Sequence, residues 1–157
     1  MYKRQVFSRA GDAFAAVFAS GEAAVRAAVA IQRALGAERW PTAEPLRVRI
    51  GLHAGEAHER DGDHFGPAVN EASRVMSAGH GGQVLLTEAV VGACPGIQTR
   101  DLGSVALRGV ALPLTLHQLV AEGLERDFPP LRQDGAGAEA PEAVSYTHLT
   151  LPTNREV

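Results

Sequence analysis

Asn70 and Arg74 stand four residues apart, and Asp63 lies seven residues ahead of Asn70. Residues four apart on a helix project from one face. An amide beside a guanidinium, with a carboxylate just before the helix, suits a charged, oxygen-rich ligand. The same residues also fit the solvated outer face of an ordinary amphipathic helix. The helix itself is well marked. The loop Gly62-Asp63-His64-Phe65-Gly66 leads into Pro67, and proline suits the first helical position, where its missing N–H has no partner to lose. Val69, Ala72, Val75 and Met76 then form an apolar stripe at helical spacing. A second candidate is Asp12, after Gly11 and between the apolar runs 6–10 and 13–18. Two such runs around a glycine-aspartate pair read as a β-hairpin. There Asp12 either faces a cleft or simply serves the turn through its own local hydrogen bonds.

Other reactive side chains have plainer readings. Asp61, Asp63 and His64 are not followed by a full ligand set at calcium-loop or zinc spacing. His53, His58, His80 and His117 read as scattered strand and turn residues, and Cys94 has no local partner that marks a nucleophile. A single cysteine in the chain makes no internal disulfide and suits a reducing compartment.

The chain has 157 residues, 45% hydrophobic and 21% charged, with a formal charge of −3. That is one globular domain with a real core. The charge leaves no footprint for nucleic acid or an acidic membrane surface. No apolar run is long enough to span a bilayer, and no secretory leader is recognisable, so a cytoplasmic location is expected.

The two ends differ from what lies between. Lys3 is the only lysine, and both tyrosines, Tyr2 and Tyr146, lie near the termini. The intervening chain favours Arg, Ala and Gly, as GC-rich coding does. Tyr2-Lys3-Arg4-Gln5 and Val144-Ser145-Tyr146 are encodable by one short string and its reverse complement. Residues 1–5 and 144–157 therefore read as translated sequencing adapter, and the rest as an interior fragment of a longer protein. Without those ends, 12 basic and 17 acidic residues remain, a net −5. Asn70 is then the only asparagine.

Elements must hold these residues in place. After the hairpin, Ser20 is a fitting N-cap for a helix from about Glu22 to Leu35, with Gly36 as its stop. Val25, Ala28, Val29, Ile31 and Leu35 give it a buried side. Residues 46–54 begin with strand alternation, Arg47 and Arg49 facing away from Leu46, Val48 and Ile50. Gly51 and Gly55 permit a bend or a close neighbour. A short strand over 56–60 and a turn at Asp61-Gly62 lead to the helix 67–78. A strand over 83–86, a short helix capped by Thr87, and strands over 99–108 and 114–120 follow. Residues 123–143 turn charged and then rich in Pro, Gly and Ala, as a linker does. Strands and helices that do not alternate strictly imply an α+β domain with a mostly antiparallel sheet.

In these ordered motifs the chain resembles the class III adenylate/guanylate cyclase homology domain. The resemblance spans about residues 6–121 of a partial domain over 6–122, and rests on Ala10-Gly11-Asp12-Ala13-Phe14, Arg49-Ile50-Gly51-Leu52-His53-Ala54-Gly55-Glu56, Phe65 to Arg74, and His80-Gly81-Gly82-Gln83-Val84-Leu85-Leu86. It is closest in kind to bacterial, actinobacterial-like domains that precede an ATPase and regulator module. The resemblance implies a ferredoxin-like nucleotide cyclase fold lacking its N-terminal part. It implies cyclisation of ATP, or less readily GTP, to the 3′,5′-cyclic nucleotide with release of pyrophosphate, in intracellular signalling. Two divalent metal ions, Mg²⁺ or Mn²⁺, would activate the ribose hydroxyl and neutralise the triphosphate. Asp12 matches the second metal aspartate; the first lies upstream in the family. Asn70 matches the ribose-positioning asparagine, and Arg74 the arginine that stabilises charge on the transferring phosphoryl group. Asp63 matches the aspartate that accepts from the adenine amino group. Ser8 stands where adenylate cyclases usually carry lysine. Family sites form across a homodimer, the metal aspartates from one subunit and the asparagine and arginine from the other, so this fragment alone is expected to have little activity. The alternative is a degenerate cyclase-like module that regulates or dimerises a larger ATPase or transcriptional regulator, favoured by Ser8 and by Ala13 after the aspartate. An unrelated ferredoxin-like interaction domain is the plainest alternative.

Overall fold

The computed structural model describes residues 4–10, 13–61, 63–132 and 143–150. The hairpin expected at the start forms as β1 (Arg4–Ala10) and β2 (Ala13–Phe18), antiparallel, with Ala10 opposite Ala13. Helix α1 (Gly21–Ala37) begins as expected, the Ser20 hydroxyl accepting from the Ala23 amide at 3.2 Å. It runs through Gly36 rather than stopping there. The Trp40 indole donates to the Leu35 carbonyl at 3.1 Å, satisfying one of the last-turn acceptors. Strand β3 (Arg47–Ala54) follows, then a small hairpin of β4 (His58–Arg60) and β5 (Asp63–Phe65). Helix α2 (Pro67–Ala78) has the expected bounds. The remaining elements are β6 (Val84–Thr87), α3 (Glu88–Ala93), β7 (Thr99–Val105), β8 (Leu114–Leu119) and β9 (Ala143–Thr150).

Seven strands form one sheet in the order β1-β2-β9-β3-β6-β8-β7. The α+β class holds, but the sheet is more parallel than a mostly antiparallel reading allows. The pairs β2–β9, β9–β3 and β3–β6 are parallel, while β1–β2, β6–β8 and β8–β7 are antiparallel. The reason is connectivity: α1 and α2 each carry the chain back across the sheet, and a helical crossover returns a strand parallel to the one it left. The α1 crossover leaves a gap one strand wide between β2 and β3. Residues 143–150 fill it, paired with both neighbours. Their sequence, Ala-Val-Ser-Tyr-Thr-His-Leu-Thr, is rich in β-branched and aromatic residues, which suit a strand whatever their origin. Two facing edges of unpaired backbone supply the drive.

Helices cover both faces of the sheet. Val48, Ile50 and Leu52 of β3 join Val84 and Leu86 of β6 in a core with Ala24, Val25 and Ala28 of α1 and with Val90 of α3. The alternate residues meet α2, where Val75 and Ala78 pack with Leu85 and Leu116. Buried on both faces, β3 loses its polar alternation after Arg49.

Residues 121–132 have no regular structure, yet they are fastened to the domain. The Arg33 guanidinium donates to the Glu122 carbonyl at 3.0 and 2.8 Å, Arg47 pairs with Glu125, and Gln118 donates to the Arg126 carbonyl at 2.8 Å. The Arg132 amide bonds the Ala78 carbonyl at 3.0 Å, and Leu131 packs on the α2 side of the core. Composition marked this stretch as linker from residue 123, but its backbone carbonyls find side-chain donors from α1, β8 and the sheet.

Candidate functional site on helix α2

Helix α2 is seated by alternate residues of β3. Period-two alternation puts residues 51, 53 and 55 on one face. A Cβ added to Gly51 would lie 2.5 Å from the Met76 amide nitrogen, and one on Gly55 would lie 2.7 Å from the Ala68 Cβ. Both glycines are therefore places where the helix touches the strand. Between them His53 is buried, at 7% exposure, and makes polar contacts to two elements. Its Nε2 lies 2.6 Å from a Glu71 carboxylate oxygen on α2, and its Nδ1 lies 2.8 Å from the Thr87 hydroxyl. Burial lowers its pKa, opposed by the charge and the hydrogen bond of Glu71. A carboxylate only accepts, so in the neutral ring Nε2–H donates to Glu71 and bare Nδ1 accepts from Thr87. From sequence His53 reads as a scattered strand residue and Thr87 as the α3 cap. Thr87 does hold the N-cap position, but its side chain makes no cap bond; its hydroxyl is engaged by His53 instead.

The opposite face of α2 carries the residues singled out by spacing. Asn70 is exposed and its amide donates to the Gly109 carbonyl at 3.4 Å. Arg74 is half-buried, and its Nε and Nη2 would lie 3.7 Å from a Cβ on Gly109. The structure thus brings Asn70 and Arg74 together under the β7–β8 connection. That turn escapes a reading of the sequence, because Arg108-Gly109 is too short a signal to mark a neighbour 39 residues away. The same turn carries an exposed cation, Arg108. The large apolar side chains Phe65, 52% exposed, and Leu112, 74% exposed, lie on β5 and on the same β7–β8 connection.

Asp63 opens β5, half-buried, with one carboxylate oxygen accepting from the His64 amide at 3.0 Å. Ser8 lies on β1 opposite Ala15, next to a register shift after Val6. β5 packs against both β1 and α2, so the strand carrying Ser8, the strand carrying Asp63 and the helix carrying Asn70 adjoin. Asp12 lies outside the described residues, and among the described residues no group of three acidic, histidine or cysteine side chains is placed to hold a metal. No helix among the described residues is long and apolar enough to cross a membrane.

The profile of the family described as the adenylate and guanylate cyclase catalytic domain matches residues 7–121, most of the chain. The chain belongs to this family. Among curated relatives, an uncharacterised protein of Mycobacterium tuberculosis is 38% identical over 127 residues, covering 78% of this chain and 42% of its own length. A receptor-type adenylate cyclase of Trypanosoma equiperdum is 40% identical over 87 residues, covering 48% of this chain and 19% of the relative. The chain thus spans less than half the length of these relatives. Among solved structures, an adenylate cyclase of Trypanosoma brucei in its monomeric state superposes with a TM-score of 0.68 at 25% identity, covering 83% of this chain and 75% of that one. An adenylate/guanylate cyclase/hydrolase from Silicibacter pomeroyi gives 0.64 at 27% identity, covering 76% and 73%. The α+β cyclase fold is therefore shown for this domain.

Proposed function

We propose that this cyclase domain takes part in converting ATP, in preference to GTP, to 3′,5′-cyclic AMP and pyrophosphate. The observation that carries the reading is the pairing of Asn70 and Arg74 on the outer face of α2, in a domain of the cyclase family. Arg74 would meet charge developing on the α-phosphoryl group, and fixed donors of that kind provide the largest part of such catalysis. Asn70 would orient the ribose. Asp63 would accept from the adenine amino group, and the same carboxylate would repel the O6 of guanine. Asp12 would supply one ligand to the Mg²⁺ or Mn²⁺ ions, which when bound neutralise triphosphate charge and activate the ribose hydroxyl.

Asn70 is exposed and Arg74 half-buried beside the Gly109 turn, and Phe65 on β5 and Leu112 on the same β7–β8 connection are exposed. That suits a site completed by a second copy, with the metal aspartates contributed by one subunit and Asn70 and Arg74 by the other. Ser8, uncharged where a lysine would hold the purine, supports the second reading, a cyclase-like module that binds nucleotide to regulate an attached activity. The cyclase reading, and the second reading unless the module only dimerises, require nucleotide to meet α2. The test is the affinity of the chain for ATP and GTP with Mn²⁺. ATP should bind more tightly, and Asp63→Ala should remove most of the difference. Equal affinities, unchanged in Asp63→Ala, would sink the purine assignment, and no binding of either nucleotide would sink the cyclase reading and leave only a dimerisation module.

A further inference from the structure

We infer that His53 is a positioning residue that sets the rotation of α2, and through it the direction in which Asn70 and Arg74 project. The inference rests on the nucleotide reading of those two residues for its functional consequence, but not for its geometry.

Two residues on one face of β3, Gly51 and His53, and Gly55 just past its end meet α2, and they act differently. Gly51 against Met76 and Gly55 against Ala68 are contacts of bare backbone with helix. Such contacts fix how closely the helix approaches, but they are non-directional and tolerate a roll about its axis. His53 sits between them and grips Glu71 through a directional, charge-assisted bond. Its other nitrogen is held by Thr87 on β6, so the ring cannot swing to follow the helix. The imidazole is thus a strut between the sheet and one flank of α2.

That flank is well placed. At about 100° per residue, Glu71 lies between the buried stripe of Ala68, Ala72, Val75 and Met76 and the outer pair Asn70 and Arg74. No side chain caps the start of α2, whose N-cap is Gly66 with φ of 134°, and its first turn holds no acidic residue. Near that end Asn70 bonds the Gly109 carbonyl, but at 3.4 Å and to a surface turn, so it restrains the helix less firmly than His53 does. With side-chain tips about 5–6 Å from the axis, a roll of about 10° moves them about 1 Å. A displacement of that size costs about a hundredfold where a reacting group must be aligned.

The test uses the whole chain and its His53→Ala, His53→Gln and Glu71→Ala variants. The orientation of α2 relative to β3 and β6 is read from residual dipolar couplings, the state of the His53 ring from its ¹⁵N shifts, and Mn²⁺–ATP affinity by titration. The parent should show a protonated Nε2 and a bare Nδ1. In His53→Ala the α2 couplings should depart from the parent orientation and ATP affinity should fall about tenfold. His53→Gln, which offers the same donor and acceptor, should recover most of both. If His53→Ala does not fold, Glu71→Ala carries the test, since Glu71 is part-exposed and its loss opens the same bond from the helix side. Couplings in the alanine variants that superpose on the parent's would overturn the proposal. Reoriented couplings with no ATP binding by the parent would leave the positioning role standing and remove the nucleotide reading.

Discussion

Gly51→Ala should unseat α2. A Cβ there would lie 2.5 Å from the Met76 nitrogen, 2.7 Å from its Cα and 2.8 Å from its Cβ. Two of these atoms are helix backbone, which cannot swing aside as the end of a flexible side chain does. Relief requires the whole helix to lift by close to 1 Å, opening the packing of Val75 and Ala78 on Leu85 and Leu116. Overpacking of a tight core costs about 1–3 kcal/mol, and a backbone clash belongs at the upper end. With a urea m-value of about 2 kcal/mol/M, a loss of about 3 kcal/mol lowers the unfolding midpoint by about 1.5 M. Gly36→Ala is the internal control. It lies within α1 with nothing within 4 Å of an added Cβ, so alanine should gain about 0.5–1 kcal/mol through helix propensity alone. Urea unfolding followed by circular dichroism measures both. A Gly51→Ala midpoint equal to the parent's would refute the close seating of α2 on β3, and with it the frame on which Asn70 and Arg74 are placed.

Stability should fall as pH drops below neutrality. Burial depresses the His53 pKa in the folded state, so the unfolded chain binds the proton more readily. The contribution is complete above the unfolded histidine value of about 6.5 and is lost as pH falls through the lower folded value. His53→Gln should flatten that part of the stability–pH profile, and an unchanged profile would contradict the assignment. Cys94, 1% exposed and with its thiol pKa raised by burial and then by Glu22, should resist iodoacetamide at pH 7.5 in the folded protein and react on unfolding. Rapid alkylation under native conditions would contradict its place beneath α1. Ending the chain at residue 142 removes β9 and leaves facing edges on β2 and β3. Light scattering should then report self-association, whereas an unassociated, equally stable truncation would show that residues 143–150 contribute nothing to the sheet.

Local signals in the sequence carried much of this architecture. Ser20, Pro67 and the apolar stripe of α2 located two helices because caps and helical periodicity act within a few residues. The pairing of Asn70 with Arg74 was legible for the same reason. What escaped was non-local. Parallel pairing of β3 with β6 follows from the α2 crossover, not from any residue within either strand. His53 looked like one of several scattered histidines, since Glu71 and Thr87 reach it from two other elements. The Gly109 turn reaches α2 only through tertiary structure. The strap over 121–132 was hidden because its composition is that of a linker, while its restraint comes from Arg33, Arg47 and Gln118 elsewhere.

The central claim is that α2 presents Asn70 and Arg74 to the nucleotide of a composite cyclase site. The most direct measurement supplies the other half of that site in trans. A cyclase domain that keeps both metal aspartates, but lacks its own transition-state arginine and ribose asparagine, is mixed with this chain, Mn²⁺ and ATP. Cyclic AMP and pyrophosphate should appear in equal amounts on mixing. The same mixture made with Arg74→Ala should lose at least about a hundredfold in rate, as removal of a fixed donor to developing charge does. A mixture in which Arg74→Ala restores activity as well as the parent chain would contradict the account.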